Sequence, residues 1–243
     1  MRDIIEEALI IYRAEVDSFL TIITPAAGLG LILLIVSDTG LTAALVTIPL
    51  LLVVYLATYA ACIRQAGSMV AGGSYAATRV WLDVLGRMPH ALVAAAPAGI
   101  LIAVVAGCAV VLSDQGFWYL GMGVGLLGLA GAGRWASKHA YDQPLIIVYE
   151  ARALEALETG SRLAADTRDW TLRLLAAVFA PLAAGGLISA GLAWLMAPIA
   201  GAAIFLLLVA LWLPFGALCL TEACLRLVDR ADSARQQVAE TPA

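Results

Sequence analysis

All 14 basic side chains of this chain fall on one side of a series of hydrophobic runs, and that asymmetry constrains both fold and orientation. The runs cover Phe19 to Val36, Leu41 to Ile63, Ala91 to Leu112, Phe117 to Gly133, Thr171 to Met196 and Ala200 to Leu225. Each is close to the ~20 apolar residues that carry a helix across ~30 Å of hydrocarbon. Helix is the form such runs take, because backbone groups in lipid have no water to bond. The connectors Ser37-Asp38-Thr39-Gly40, Ser113-Asp114-Gln115-Gly116 and Ala197-Pro198-Ile199 contain no Lys or Arg. Arg2, Arg13, Arg64, Arg79, Arg87, Arg134, Lys138, Arg152, Arg162, Arg168, Arg173, Arg226, Arg230 and Arg235 all lie elsewhere. Lys and Arg are retained on the cytoplasmic side. The sequence therefore predicts an all-α, polytopic bundle of six transmembrane helices in an inner or plasma membrane, with both termini and the two long loops cytoplasmic.

A hydrophobic content of 63% excludes a soluble domain, where apolar residues make up about 45–50%. Six crossings use nearly the whole length. Residues 1–228 are thus expected to form a single transmembrane domain, and the polar residues 229–243 a mobile cytoplasmic tail. A net charge of −4 and a pI near 5.1 argue against nucleic acid as a partner, since that needs a basic footprint. Acidic residues interrupt the cytoplasmic arginines, so no polybasic lipid-binding run stands out. The opening Arg2-Asp3-Ile4-Ile5-Glu6-Glu7 is unlike the basic start of a cleavable signal peptide, and the first span is expected to be kept. Cys62, Cys108, Cys219 and Cys224 lie within or at the ends of spans. They read as packing residues, because Cys219 and Cys224, five apart, point to different helix faces and no thiol lies in an outer turn.

The turns without Lys or Arg are so short that each must close an antiparallel hairpin. The inner segments read as amphipathic interfacial helices: residues 3–17 set Ile4, Ile5, Ala8, Leu9, Ile11 and Tyr12 against Asp3, Glu6, Glu7, Arg13 and Asp17. Residues 150–170 behave alike, with Glu158, Arg162 and Asp166 four apart. Gln65 to His90 is expected to be looser, because Gly67, Gly72, Gly73 and Gly86 interrupt it. Grouping each inner helix with the hairpin after it gives a coarse threefold organisation over 1–63, 65–133 and 150–225. Pro25, Pro49, Pro97, Pro181 and Pro214 fall inside five spans. Each removes a backbone donor and frees a carbonyl, which either packs against a neighbour or lines a transport path.

Gly123-Val124-Gly125-Leu126-Leu127-Gly128 matches a dinucleotide-binding pattern, but it lies inside an apolar span with no strand before it and no free helix N-terminus. Gly121, Gly125, Gly128 and Ala132 instead form one smooth helix stripe that lets another helix approach, either within the chain or in a second copy. Among charged residues, Glu222 near the end of the last span is the leading candidate for function, because a carboxylate at bilayer depth is costly. Arg226 four residues on offers a local ion pair at the membrane boundary. Glu150 is expected to open an inner helix, where a carboxylate suits the positive end of the helix dipole. His90 and His139 lie at the inner boundary, and His139 has Lys138 and Asp142 nearby; both read as interfacial side chains rather than metal ligands. Trp81, Trp118, Trp135 and Trp170 fit an aromatic belt. The sequence holds no strained Ser or Cys elbow, paired carboxylates or zinc-protease spacing, so no catalytic, cofactor or metal residues are assigned.

The chain resembles a six-helix membrane family, represented by the membrane domain attached to some glycerophosphoryl diester phosphodiesterases and by related stand-alone membrane proteins. The likeness rests on Ala8-Leu9-Ile10-Ile11-Tyr12-Arg13 leading into the first span, a Pro-apolar-Glu element from Pro144 to Glu150, and an Ala-Leu helix from Ala156-Leu157 through Gly160, Arg162 and Leu163 to Trp170. Pro214 and Leu225-Arg226 complete it. Gly160 and Ala164 stand where relatives often carry polar residues, and no phosphodiesterase domain is attached. The resemblance implies topology and no catalytic residues. The sequence thus points to a non-enzymatic membrane scaffold or accessory component acting on membrane lipids, a protein partner or a second copy of itself. Its alternative is a small transporter or channel-like permease with a site at the proline-broken helices.

Overall fold

The computed structural model describes residues 2–37, 41–195 and 198–240, and within them the chain is helical with no strand. The elements are α1 (Arg2–Ala14), α2 (Val16–Ser37), α3 (Leu41–Val70), α4 (Ala77–Asp114), α5 (Trp118–Lys138), α6 (Asp142–Ile147), α7 (Ala153–Asp166), α8 (Arg168–Leu195) and α9 (Pro198–Glu240). As the short turns require, α2 packs on α3, α4 on α5 and α8 on α9. The long last helix sits centrally, against α1, α2, α3, α6 and α8. Five helices are long and apolar enough to cross a membrane, over Val16–Val36, Pro49–Val70, Ala77–Leu101, Arg168–Ser189 and Ala203–Ser233. For α5, the expected fourth crossing, the side chains at 118, 122, 126, 129 and 132 lie outside the described residues.

Several helices are longer than the runs that announced them. At 38 and 43 residues, α4 and α9 reach roughly 57 and 64 Å at about 1.5 Å per residue, well beyond ~30 Å of hydrocarbon. Charged ends therefore project as helix rather than as loop. Gln65 to His90 is firmer than its glycines suggest, since α3 runs on to Val70 and α4 begins at Ala77. Gly67 does not break α3: it faces Val148, whose Cγ2 a Cβ there would approach to 2.9 Å. The break falls at Gly72, with φ +79°. There Gly72 N–H donates to Met69 C=O at 2.9 Å and Gly73 N–H to Ser68 C=O at 2.8 Å, the Schellman closure that a left-handed glycine permits. Asp229 onward, expected as a mobile tail, continues α9 to Glu240. Neither Gly nor Pro occurs there before Pro242, and Ala, Arg and Gln favour helix.

Burial is concentrated at the charged end of the bundle. Ala60 to Ile63 of α3, Ala217 to Leu220 of α9, Phe19 and Ile22 of α2, Leu174 and Val178 of α8 and Val80 and Val84 of α4 form one core. Small residues on α3 and α9 let those helices approach closely. Towards the end without Lys or Arg the surface is apolar and open, with Ile32, Ile35, Leu187, Ile188 and Leu195 exposed. An apolar exterior around a packed interior is the arrangement lipid selects.

Candidate functional site

A cluster of buried polar residues lies beneath the bundle, around α6. This six-residue helix buries Asp142, Pro144, Leu145, Ile146 and Ile147 and packs against α3, α4, α7 and α9, closing the charged end like a floor. Its position follows from sequence: Pro144 sits in the first turn, where its missing N–H breaks no helical bond, and the apolar run after it has no solvated face.

Asp142 is 2% exposed, and neither carboxylate oxygen has a hydrogen bond. His139 caps the end of α5 three residues earlier and places Nδ1 2.9 Å from Oδ2, though without hydrogen-bond alignment. The other wall is Gly160 of α7, where a Cβ would overlap Oδ1 and stand 3.2 Å from the Asp142 amide nitrogen. Burial pushes the Asp142 carboxyl up to about 8, against a partial lowering by Lys138. Burial and the Lys138 charge push His139 down. Both groups are thus neutral near pH 7, and a protonated Oδ2 can donate across the gap to Nδ1. The imidazole is also stacked on Trp135, ring centroids 4.1 Å apart.

Around this pair several polar groups have partners, while the buried Gln143 Oε1 has no hydrogen bond. Tyr141, fully buried, shares a 2.9 Å hydrogen bond with Thr171 Oγ1, and Thr171 shares one of 3.1 Å with Thr167. Thr167 alone separates α7 from α8, so this chain of hydroxyls fixes the corner between them. Gln143 Nε2 donates to Ala91 C=O at 3.2 Å. Arg64 donates to Asp83 Oδ2 from Nε at 3.2 Å and from Nη2 at 3.0 Å, tying the end of α3 to the start of α4.

Of the residues singled out from sequence, Glu222 is 8% exposed and accepts from Arg226 Nε at 2.6 Å. Arg226 also holds Glu7 of α1, so a pair expected within one helix is a bridge between two. Glu150 does not open α7, which begins at Ala153. It occupies a left-handed conformation, φ +62°, and pairs with Arg87 of α4, which lowers its carboxyl. Gly128 brings α5 so close to α4 that a Cβ there would overlap Val105, so its partner is internal. Gly121 is buried, Gly125 faces open space and Gly131 approaches Leu101 instead; the side chain of Ala132 lies outside the described residues. The seam is therefore rotated from the stripe read in the sequence. Glu222, Glu150 and His139 each have separate partners. Among the described residues no three His, Cys, Asp or Glu side chains come together.

Sequence reasoning missed Tyr141 and Thr171, named Gly160 only as a departure from relatives, and treated Asp142 only as a neighbour of His139. Gly160 carried a readable signal, as a glycine inside an otherwise strong Ala-Leu helix needs a reason. Comparison with protein families, curated proteins and solved structures finds no match for this chain.

Proposed function

We propose that the chain is a six-crossing protein of the inner or plasma membrane, termini cytoplasmic, that works as a non-enzymatic scaffold or accessory component through lipid or protein contacts. It would belong with the six-helix membrane domains it resembles, with α5 as the remaining crossing and α1 and α7 lying along the cytoplasmic interface. The observation that carries this reading is the treatment of the proline breaks. A permease would turn the freed carbonyls toward a wet midplane. Here Pro25, Pro49, Pro97 and Pro181 are exposed on the outside of the bundle, and Pro214 alone among the five is buried. Trp212 Nε1 donates to Val178 C=O, three residues before Pro181, at 2.6 Å. Tyr12 OH donates to Leu211 C=O, three before Pro214, at 3.0 Å. Each bond falls one residue after the carbonyl that its proline frees, at Ala177 and Ala210, and holds a neighbouring helix against the kink. A hollow of about 220 Å³ beside them, among Tyr59, Val178, Trp212 and Leu213, has an apolar lining.

Native thiols test the reading. Cys62, Cys219 and Cys224 are buried and Cys108 is exposed on the apolar surface. A small water-borne thiol reagent should leave the three core cysteines unmodified in folded protein within membranes and modify all of them after denaturation. Modification of Cys62 or Cys219 in the folded state would mean a water-filled path and would move the assignment to the permease.

A further inference from the structure

Where α5 ends, the corner between α7 and α8 faces it across a hollow of about 230 Å³. Arg134, Ser137 and Lys138 of α5 line it, with Ser161 and Ala164 of α7 and Arg168 of α8. Among the described residues no carboxylate lines this hollow. Among the described residues none of its three cations has an ion pair, whereas Arg64, Arg87, Arg162 and Arg226 each hold a carboxylate. Gathering like charges without a counterion costs energy that a bound anion would recover. Two guanidinium forks and an ammonium suit a phosphate group, which has several acceptor oxygens around one centre.

The surroundings extend the hollow into an apolar track. Leu127 lies on the face of α5 that carries Arg134 and Lys138, seven and eleven residues back, and is 76% exposed. Leu172 and Phe179 follow Arg168 by four and eleven residues on α8 and are also exposed. Helices α5 and α8 pack together, so these side chains run from the cations roughly 6–16 Å into the apolar zone. Trp135 and Trp170, of the residue type that settles at headgroup depth, flank the basic end. A soluble phosphate has no use for such a track.

We propose that this hollow binds the phosphate of an anionic phospholipid, with its acyl chains lying along Leu127, Leu172 and Phe179. The assignment rests on the reading of the chain as a lipid-contacting membrane component and names the lipid class and its seat.

Native mass spectrometry of the full chain in mild detergent, with equimolar phosphatidylglycerol and phosphatidylcholine, tests it. The chain should retain phosphatidylglycerol preferentially. Removing cations should weaken retention by about fivefold per charge, and on the order of a hundredfold for Arg134→Gln, Lys138→Gln and Arg168→Gln together. Arg162→Gln, at an exposed cation already paired with Glu158, should change nothing. If the triple variant does not fold, the single Lys138→Gln and Arg134→Gln variants decide. In unmodified protein, raising ionic strength should also erode the preference. Equal retention of the two lipids, or a folded triple variant that keeps its preference, overturns the proposal. So does displacement of the lipid by inorganic phosphate beyond the effect of chloride at matched ionic strength, which would make soluble phosphate the ligand. Reactive core thiols with lipid preference intact would sink the scaffold reading alone; a dry core without preference would sink only this site.

Discussion

Desolvation without a donor decides the behaviour of Asp142. In the unfolded chain its proton leaves near the ordinary carboxylate value of 3.8, whereas the folded chain keeps it to about 8. Between those values the folded state binds more protons, so this residue's contribution to stability is complete below pH 4, falls as pH rises and levels off above pH 8. Thermal unfolding followed by tryptophan fluorescence should show a lower midpoint at pH 8 than at pH 5.5. Asp142→Asn, which has the same shape and no charge, should flatten that dependence; a wild-type slope kept by the variant would remove Asp142 from the account. The same contact makes a prediction for Gly160. Adding a methyl there improves helix propensity by roughly 1 kcal/mol but drives a Cβ into Asp142, and overpacking at about 1–3 kcal/mol wins. Gly160→Ala should therefore destabilise, while Gly86→Ala, mid-helix with nothing within 4 Å, should stabilise by about 0.5–1 kcal/mol. Two glycines of similar appearance in sequence thus have opposite roles, because Gly160 faces Asp142 of another helix and Gly86 faces open space.

At the scale of elements, the legible part was whatever local chemistry dictates. Turns of a few residues without Lys or Arg admit nothing but hairpins, and these are the pairs α2 with α3, α4 with α5 and α8 with α9. Illegible were the boundaries set by tertiary contact: α3 runs through Gly67 because Val148 needs that glycine's space, and α6 turns inward because the bundle offers it a dry floor. The proline breaks belong to this class, since no local rule shows which neighbour will be held against them. Tyr12→Phe deletes one hydroxyl and should cost about 0.5–1.5 kcal/mol in unfolding experiments in mixed micelles. If that bond serves the kink at Pro214, then Pro214→Ala, which restores the missing N–H, should shrink the effect of Tyr12→Phe in a double-mutant cycle. Additive costs would mean that Tyr12 merely docks α1 on α9.

Seen whole, the molecule is divided by charge into two unlike ends. Ion pairs from Arg64 to Asp83, Arg87 to Glu150 and Arg226 to Glu7 draw the ends of α3, α4, α9 and α1 together with the α6–α7 corner. The sequence asymmetry thus appears as one polar face over a packed core. That face was legible because moving a cation through lipid is costly at every position, so the signal accumulates over all the connectors. The buried pair at α5 and α6 was not, because burying one carboxyl leaves no periodic trace. The proposed orientation in the cell makes a prediction from the same division. Gln115 is exposed in the turn between α4 and α5, and Ser233 is exposed on α9 beyond Arg230. A membrane-impermeant maleimide applied to intact cells should label Gln115→Cys, and should label Ser233→Cys only after the membrane is opened. Native Cys108 lies on the apolar surface and the other thiols in the core, which keeps the background low. The reverse pattern would place the polar face outside. Labelling of both sites from outside would mean an even number of crossings between them, and α5 would then lie along the membrane instead of crossing it.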